Sequence, residues 1–266
     1  MPRKTAMVTG ASSGIGAIYA DRLAGRGFDL LTVARDRGRL EEQAARLAAS
    51  HGVQVSPLPA DLSGREGLEP VLAKLREDAG ITMLVNCAGS GPKGPVLQSD
   101  ATGLAAMVHL NVDVLHALTV EAAKAFAARG EGAIINIASV VALMPERFNA
   151  TYVASKAFVL AFTQAMAEEL KGQGTQIQAV LPGFTRTEIF ERAGIDINVI
   201  PADMIMGAEE MVDAALAGFD RGELITIPSL ADDGLWQALE TARHVLGPHL
   251  SLKHAAPRYG IPAEAV

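Results

Sequence analysis

The sequence predicts a single-domain, doubly wound α/β fold on a seven-stranded parallel sheet. Three observations predict it. Short aliphatic runs alternate with longer stretches of helical period, a glycine cluster separates the first run from the first helix, and neither a Pro/Gly/Ser-rich linker nor an internal repeat divides the 266 residues.

In chain order, β-branched or aliphatic runs predict strands over residues 6–9, 30–34, 53–57, 83–86, 133–138, 176–181 and 224–227. Between them, alanine, leucine and charged residues at helical spacing predict helices over 15–26, 37–50, 65–78, 102–129, 152–171 and 209–221. Strand and helix repeated in this way build a parallel sheet covered on both faces, and right-handed crossovers make it doubly wound. The expected organisation is one domain over 1–266, with a core of about 4–227, a substrate loop over 183–206 beyond the sixth strand, and a C-terminal extension over 228–266. In that extension Leu235, Leu239, Ala242 and Leu246 form an apolar stripe beside Trp236, expected to pack on its own domain.

A hydrophobic content of 49% supports a substantial core. A formal net charge of -7 and a pI near 5.4 argue against a nucleic-acid binder. The apolar runs read as strand-sized, below the ~18 residues of a membrane span, and the N-terminus leads into the first strand with no export signal. A cytoplasmic protein is expected. The single cysteine, Cys87, excludes an internal disulfide framework, and the six histidines lack the spacing of a metal site.

Thr9-Gly10-Ala11-Ser12-Ser13-Gly14-Ile15-Gly16 closes the first strand and opens the first helix. Glycines there let the backbone turn and approach a pyrophosphate, while the helix N-terminus offers free N–H groups. Just past the second strand, where a dinucleotide's adenosine ribose lies, Arg35 suits a 2′-phosphate and favours NADP(H) over NAD(H), with Arg37 and Arg39 adding positive field. Asp36, one position on, is the competing acidic ligand of an NAD enzyme. Asp61-Leu62 and Asn86-Cys87-Ala88-Gly89 stand at the ends of the third and fourth strands, at equivalent positions.

Tyr152-Val153-Ala154-Ser155-Lys156 carries the chemistry. Four residues make about one helical turn, so the phenol and the ammonium share a face, and a cation beside a phenol favours phenolate. A free tyrosine, with a pKa near ~10, needs that help to act as a base at neutral pH. Ser139 ends the fifth strand, where its hydroxyl stands at the ligand edge. Asn111 interrupts an apolar helix, where its amide needs partners.

These motifs resemble the classical short-chain dehydrogenase/reductase family from about Lys4 to Ile227: Thr9-Gly10-x-x-x-Gly14-x-Gly16, Asn86-x-Ala88-Gly89, Asn111, Ser139, Tyr152-x-x-x-Lys156 and Pro182-Gly183-x-x-x-Thr187. The resemblance implies a Rossmann fold in which Tyr152 is the general acid/base, Ser139 orients the substrate oxygen, Lys156 lowers the tyrosine pKa and binds nicotinamide ribose, and Asn111 holds a water of the proton relay. It implies that Gly10, Ser12, Ser13, Gly14, Ile15, Gly16, Arg35, Asp61, Leu62, Asn86, Ala88 and Gly89 bind the cofactor with Tyr152 and Lys156, and that Pro182, Gly183, Thr185 and Thr187 border the nicotinamide. It also implies a homodimer or homotetramer built on helices 102–129 and 152–171. Two departures stand out: Cys87, where Asn or Ala is usual, and Ser13, where many NADP-preferring members carry a basic residue.

The expected function is reversible NADPH-linked reduction of a ketone or aldehyde. The alternatives are a 3-oxoacyl carrier-protein reductase and, outside enzymes, a nucleotide-sensing or scaffold protein that would be expected to lose the tyrosine or lysine. Val141, Leu143, Met144, Phe148, Phe184, Ile189 and Phe190 flank the expected cleft and suggest an apolar small-molecule substrate.

Overall fold

In the computed structural model, which describes residues 3–188, 194 and 196–261, the strands are β1 (Thr5–Thr9), β2 (Asp29–Ala34), β3 (Val55–Pro59), β4 (Ile81–Asn86), β5 (Gly132–Ile137), β6 (Thr175–Val180), the short β7 (Thr185–Arg186) and β8 (Met206–Gly207), and β9 (Ile225–Thr226). The helices are α1 (Gly14–Gly25), α2 (Arg37–His51), α3 (Arg65–Glu77), α4 (Ala101–Val108), α5 (Leu115–Arg129), α6 (Ala150–Glu169), α7 (Ala208–Asp220) and α8 (Asp233–Leu246). Seven strands form one parallel sheet in the order β3-β2-β1-β4-β5-β6-β9, as the alternation of runs requires. The order reverses at β1, between β2 and β4, and a ligand crevice opens beyond the carboxyl ends of the strands at such a point.

Alternation along each buried strand divides the core between the two faces. Ala6 and Val8 of β1, Met83 and Val85 of β4 and Ile135 of β5 pack with Tyr19, Leu23, Leu47 and Met211 of the helices on one face. Met7, Leu84 and Ile134 pack on the other with Leu75, Leu118, Phe126 and Met166.

Three local differences from the sequence reading have physical causes. The third strand lies at Val55–Pro59, two residues later than the aliphatic pattern placed it, because α2 runs to His51 and closes on Gly52 in the left-handed region (φ 65°). The helix expected over 102–129 is interrupted by a π-helical segment, His109–Val114, centred on Asn111. The ends of the expected substrate loop are tied together, with Thr185 and Arg186 pairing in parallel with Met206 and Gly207. The stretch Ala101–Arg129 as a whole is long and apolar enough by composition to cross a membrane, contrary to the reading of strand-sized runs. Its inner residues Val114, Leu118, Ala122 and Phe126 are core.

The chain forms two units, Met1–Ser229 and Leu230–Val266. The second begins close to the point where the extension was expected. Its helix α8 is capped by Asp232, whose carboxylate accepts from the Gly234 N–H, and none of the described residues of α8 is buried.

Candidate active site

The glycine turn after β1 is shaped by close approach. Gly10 takes φ 67°, and a Cβ there would lie 2.9 Å from the Ala88 nitrogen; a Cβ on Gly16 would lie 2.4 Å from the Gly10 carbonyl oxygen. No side chain fits at either position, so the turn brings backbone, not side chains, to the N-terminus of α1. Ser13 is the N-cap of α1 and lies with Ser12 in this turn. The Thr9 hydroxyl ties the turn to the end of β4 by accepting from the Cys87 and Ala88 N–H groups, both at 3.1 Å.

Beyond β2, Asp36 is the N-cap of α2, and its carboxylate accepts from the Arg39 N–H at 3.0 Å. Arg35 is exposed and, among the described residues, makes no side-chain hydrogen bond or ion pair. Beyond β3, the Asp61 carboxylate accepts from the Ser63 N–H at 3.0 Å, and Leu62 buries its side chain in the core.

Asn86, a cofactor-binding position by sequence, turns its side chain away beneath the site, where the buried Nδ2 donates to Thr119 Oγ1 (3.0 Å) and Asn136 Oδ1 (2.9 Å). Asn136 in turn donates to Thr163 Oγ1 at 3.0 Å. This polar ladder crosses from the sheet to α5 and α6 and joins the elements that carry the catalytic candidates. The sequence signal for it was an asparagine in the middle of the aliphatic fifth strand.

A cavity of about 140 Å³ lies at the carboxyl ends of β4, β5 and β6. It brings together Ser139, Tyr152 and Lys156 with Gly89, Ile15, Pro182, Gly183, Thr185 and Thr187. Cys87, the departure noted in the strand-end motif, and Ser90, Ile137 and Ala138, which the sequence did not single out as site residues, complete the lining. A larger cleft of about 650 Å³, lined by Lys4, Glu131 and Thr175, lies at the opposite ends of the strands, away from this chemistry.

Tyr152 enters the site from the first turn of α6, where Asn149 caps the helix by accepting from the Tyr152 N–H at 3.1 Å. The Lys156 ammonium, one turn on, donates to the Ile137 carbonyl at 2.9 Å and lies 5.9 Å from the centre of the tyrosine ring. Burial dominates both groups. Desolvation pushes the phenol up to about 12, opposed by its hydrogen bond with Ser139, and brings the ammonium down to about 8. The phenol is therefore held neutral rather than as the phenolate expected from the lysine's charge. Ser139 is buried at the end of β5, and its hydroxyl faces the Pro182 carbonyl at 3.3 Å.

Asn111 does not line the cavity. Its Oδ1 accepts from the Ser90 N–H and its Nδ2 donates to the Ser90 carbonyl, both at 2.9 Å, with a further bond to Ser155 Oγ at 3.3 Å. A Cβ on Gly89 would lie 3.1 Å from Asn111 Oδ1, so this contact also accounts for the glycine. Val141 is buried, and Phe148 meets Phe184 edge to face with ring centres 6.3 Å apart. Ile189 and Phe190 lie outside the described residues.

Among the described residues no group of acidic, histidine and cysteine side chains is arranged to hold a metal. The donor set fits a nicotinamide dinucleotide: a side-chain-free turn at a helix N-terminus leads into a cavity lined by a phenol, a serine and a lysine.

Comparison with known proteins agrees with this geometry. The family model described as short chain dehydrogenase matches residues 4–198. A short-chain dehydrogenase from Sphingobium yanoikuyae, solved in complex with NADPH, is 48% identical and superposes with a TM-score of 0.93 over 96% of this chain and all of its own. The bulky-bulky ketone specific alcohol dehydrogenase of Comamonas testosteroni is 43% identical, with a TM-score of 0.89 over 96% of this chain and 98% of its own. The 3-oxoacyl-[acyl-carrier-protein] reductase of Escherichia coli is 30% identical over 87% of this chain and 96% of its own length. With the family model matching residues 4–198 and Ser139, Tyr152 and Lys156 lining one cavity beyond the strand ends, the chain belongs to the short-chain dehydrogenase/reductase family of oxidoreductases.

Proposed function

We propose that this enzyme is an NADP(H)-linked carbonyl reductase acting on ketones with apolar groups on both sides of the carbonyl. The convergence of Ser139, Tyr152 and Lys156 on one small cavity carries the reading. A nicotinamide coenzyme supplies the hydride for the carbonyl carbon and takes it back in the reverse direction. The chain's own residues handle the oxygen and the proton. The Ser139 hydroxyl orients the carbonyl oxygen, and the neutral Tyr152 phenol, already held in its acid form, donates the proton. Lys156 restores the charge balance beside the resulting phenolate, and Asn111 positions the Ser90 backbone next to it.

Support for NADP(H) comes from Arg35, exposed and unpaired among the described residues where a 2′-phosphate is expected, and from Asp36, whose carboxylate is engaged as a helix cap. The NADPH complex of the Sphingobium relative points the same way. Support for the substrate comes from Val141 and the Phe148–Phe184 pair, together with the ketone specificity of the Comamonas relative. Assembly into dimers or tetramers is supported by the cluster of His116, Phe158 and Phe162 on α5 and α6, which includes an exposed histidine.

Reduction of a 3-oxoacyl group on a carrier protein is the second reading, favoured by the Escherichia relative. The test follows NADPH and NADH oxidation separately with small aliphatic ketones, ketones flanked by two bulky groups, and a 3-oxoacyl thioester. Turnover confined to the bulky ketones with NADPH is expected. Turnover confined to the thioester would replace the first reading by the second.

A further inference from the structure

Three arginines follow β2, where the adenosine end of a dinucleotide is expected, and they differ in what holds them. Arg35 is free among the described residues, whereas Arg37 lies 3.4 Å from Glu41 on its own helix. Arg39 reaches the segment that follows β7, where its Nη1 donates to both carboxylate oxygens of Glu188 at 3.1 Å. Asp36 adds a weaker contact, 3.6 Å from Arg39 Nε.

Glu188 stands 149 residues away in sequence, immediately after Thr187 of the nicotinamide border. The segment that carries it crosses the glycine turn: a Cβ on Gly14 would lie 3.4 Å from the Thr187 Cβ. The carboxylate thus meets, at the adenosine end, a cation suited to a 2′-phosphate.

We propose that Glu188 sets coenzyme preference by competing with the 2′-phosphate for Arg39. The inference rests on the NADP(H) reading and refines it. An incoming phosphate dianion meets Arg35 directly, but gains Arg39 only by displacing a carboxylate, whose own charge also repels it. NADH, with a hydroxyl at that position, has no need of Arg39 and is indifferent to the exchange. Glu188 therefore narrows the margin by which this protein prefers NADPH.

The test is titration of the full-length protein with NADPH and with NADH, read by coenzyme fluorescence. Both side chains of the pair are exposed, and a melting curve for each variant confirms that it folds. Glu188→Gln is expected to lower the Kd for NADPH about fivefold and to change that for NADH less than about twofold. In an Arg39→Gln background the same substitution is expected to have no effect on NADPH. Equal shifts for both coenzymes, weaker NADPH binding, or a gain that persists without Arg39 would each overturn the proposal. The underlying reading fails separately, if the unmodified protein binds NADH more tightly than NADPH and Arg35→Gln alters neither. The ratio of the two constants on Glu188→Gln is informative in either case.

Discussion

The side-chain amide of Asn111 closes a two-way hydrogen bond on the backbone of Ser90, accepting from its N–H and donating to its carbonyl, both at 2.9 Å. The π-helical segment His109–Val114 places it there, and the contact fixes the strand end that lines the site. Asn111 therefore shapes the cavity from behind. Asn111→Leu keeps the volume but leaves both Ser90 groups without partners. It is expected to cost about 2–4 kcal/mol of stability and to lower kcat, with denaturant unfolding and steady-state rates as the measurements. An unfolding midpoint equal to that of the unmodified protein would contradict this positioning role.

Tyr152→Phe removes the proton donor and little else. Turnover is expected to fall by about a hundredfold or more, with the Kd for NADPH changed less than about threefold. Undiminished turnover would remove Tyr152 from the chemistry.

The two shifted groups make the directions of reaction respond oppositely to pH. The phenol, pushed up to about 12, is protonated throughout the neutral range, so reduction is limited by Lys156 and is expected to decline as pH rises through about 8. Alcohol oxidation requires the phenolate, whose fraction grows about tenfold per pH unit below the phenol's pKa. Between about pH 6 and 7 oxidation should climb while reduction stays level. An oxidation rate that falls over that interval would contradict the assignment.

At the nucleotide turn, Gly16→Ala would drive a methyl group to 2.4 Å from the Gly10 carbonyl oxygen, a contact that only backbone movement relieves. The Kd for NADPH is expected to rise about tenfold or more in a protein that still folds, measured by fluorescence titration. Unchanged affinity would mean that the turn does not bind the dinucleotide.

The buried ladder makes a stability prediction. Asn136→Ala deletes the links to Asn86 and Thr163, leaving Asn86 Nδ2 with Thr119 and Thr163 Oγ1 with the Val159 carbonyl, one bond short each in a dry interior. A loss of about 2–4 kcal/mol in chemical denaturation is expected. A loss well below 1 kcal/mol would show that the ladder adds little.

The sequence by itself determined the seven parallel strands, because strands buried on both faces must be aliphatic and the crossover helices must carry an apolar face. It also determined the glycine turn and the Tyr152–Lys156 pair, since both follow from local spacing. Only the tertiary structure decided what depends on long-range approach. The π-helical offset turns Asn111 onto Ser90, and Asn86 joins a ladder with Asn136 and Thr163 whose partners the lone asparagine of the fifth strand does not name. Burial, a property of the whole fold, decided that Tyr152 is held as a neutral phenol, against the effect expected from its lysine neighbour alone. The Arg39–Glu188 contact belongs with these: its two residues, 149 positions apart, are ordinary surface charges until the fold brings them within 3.1 Å.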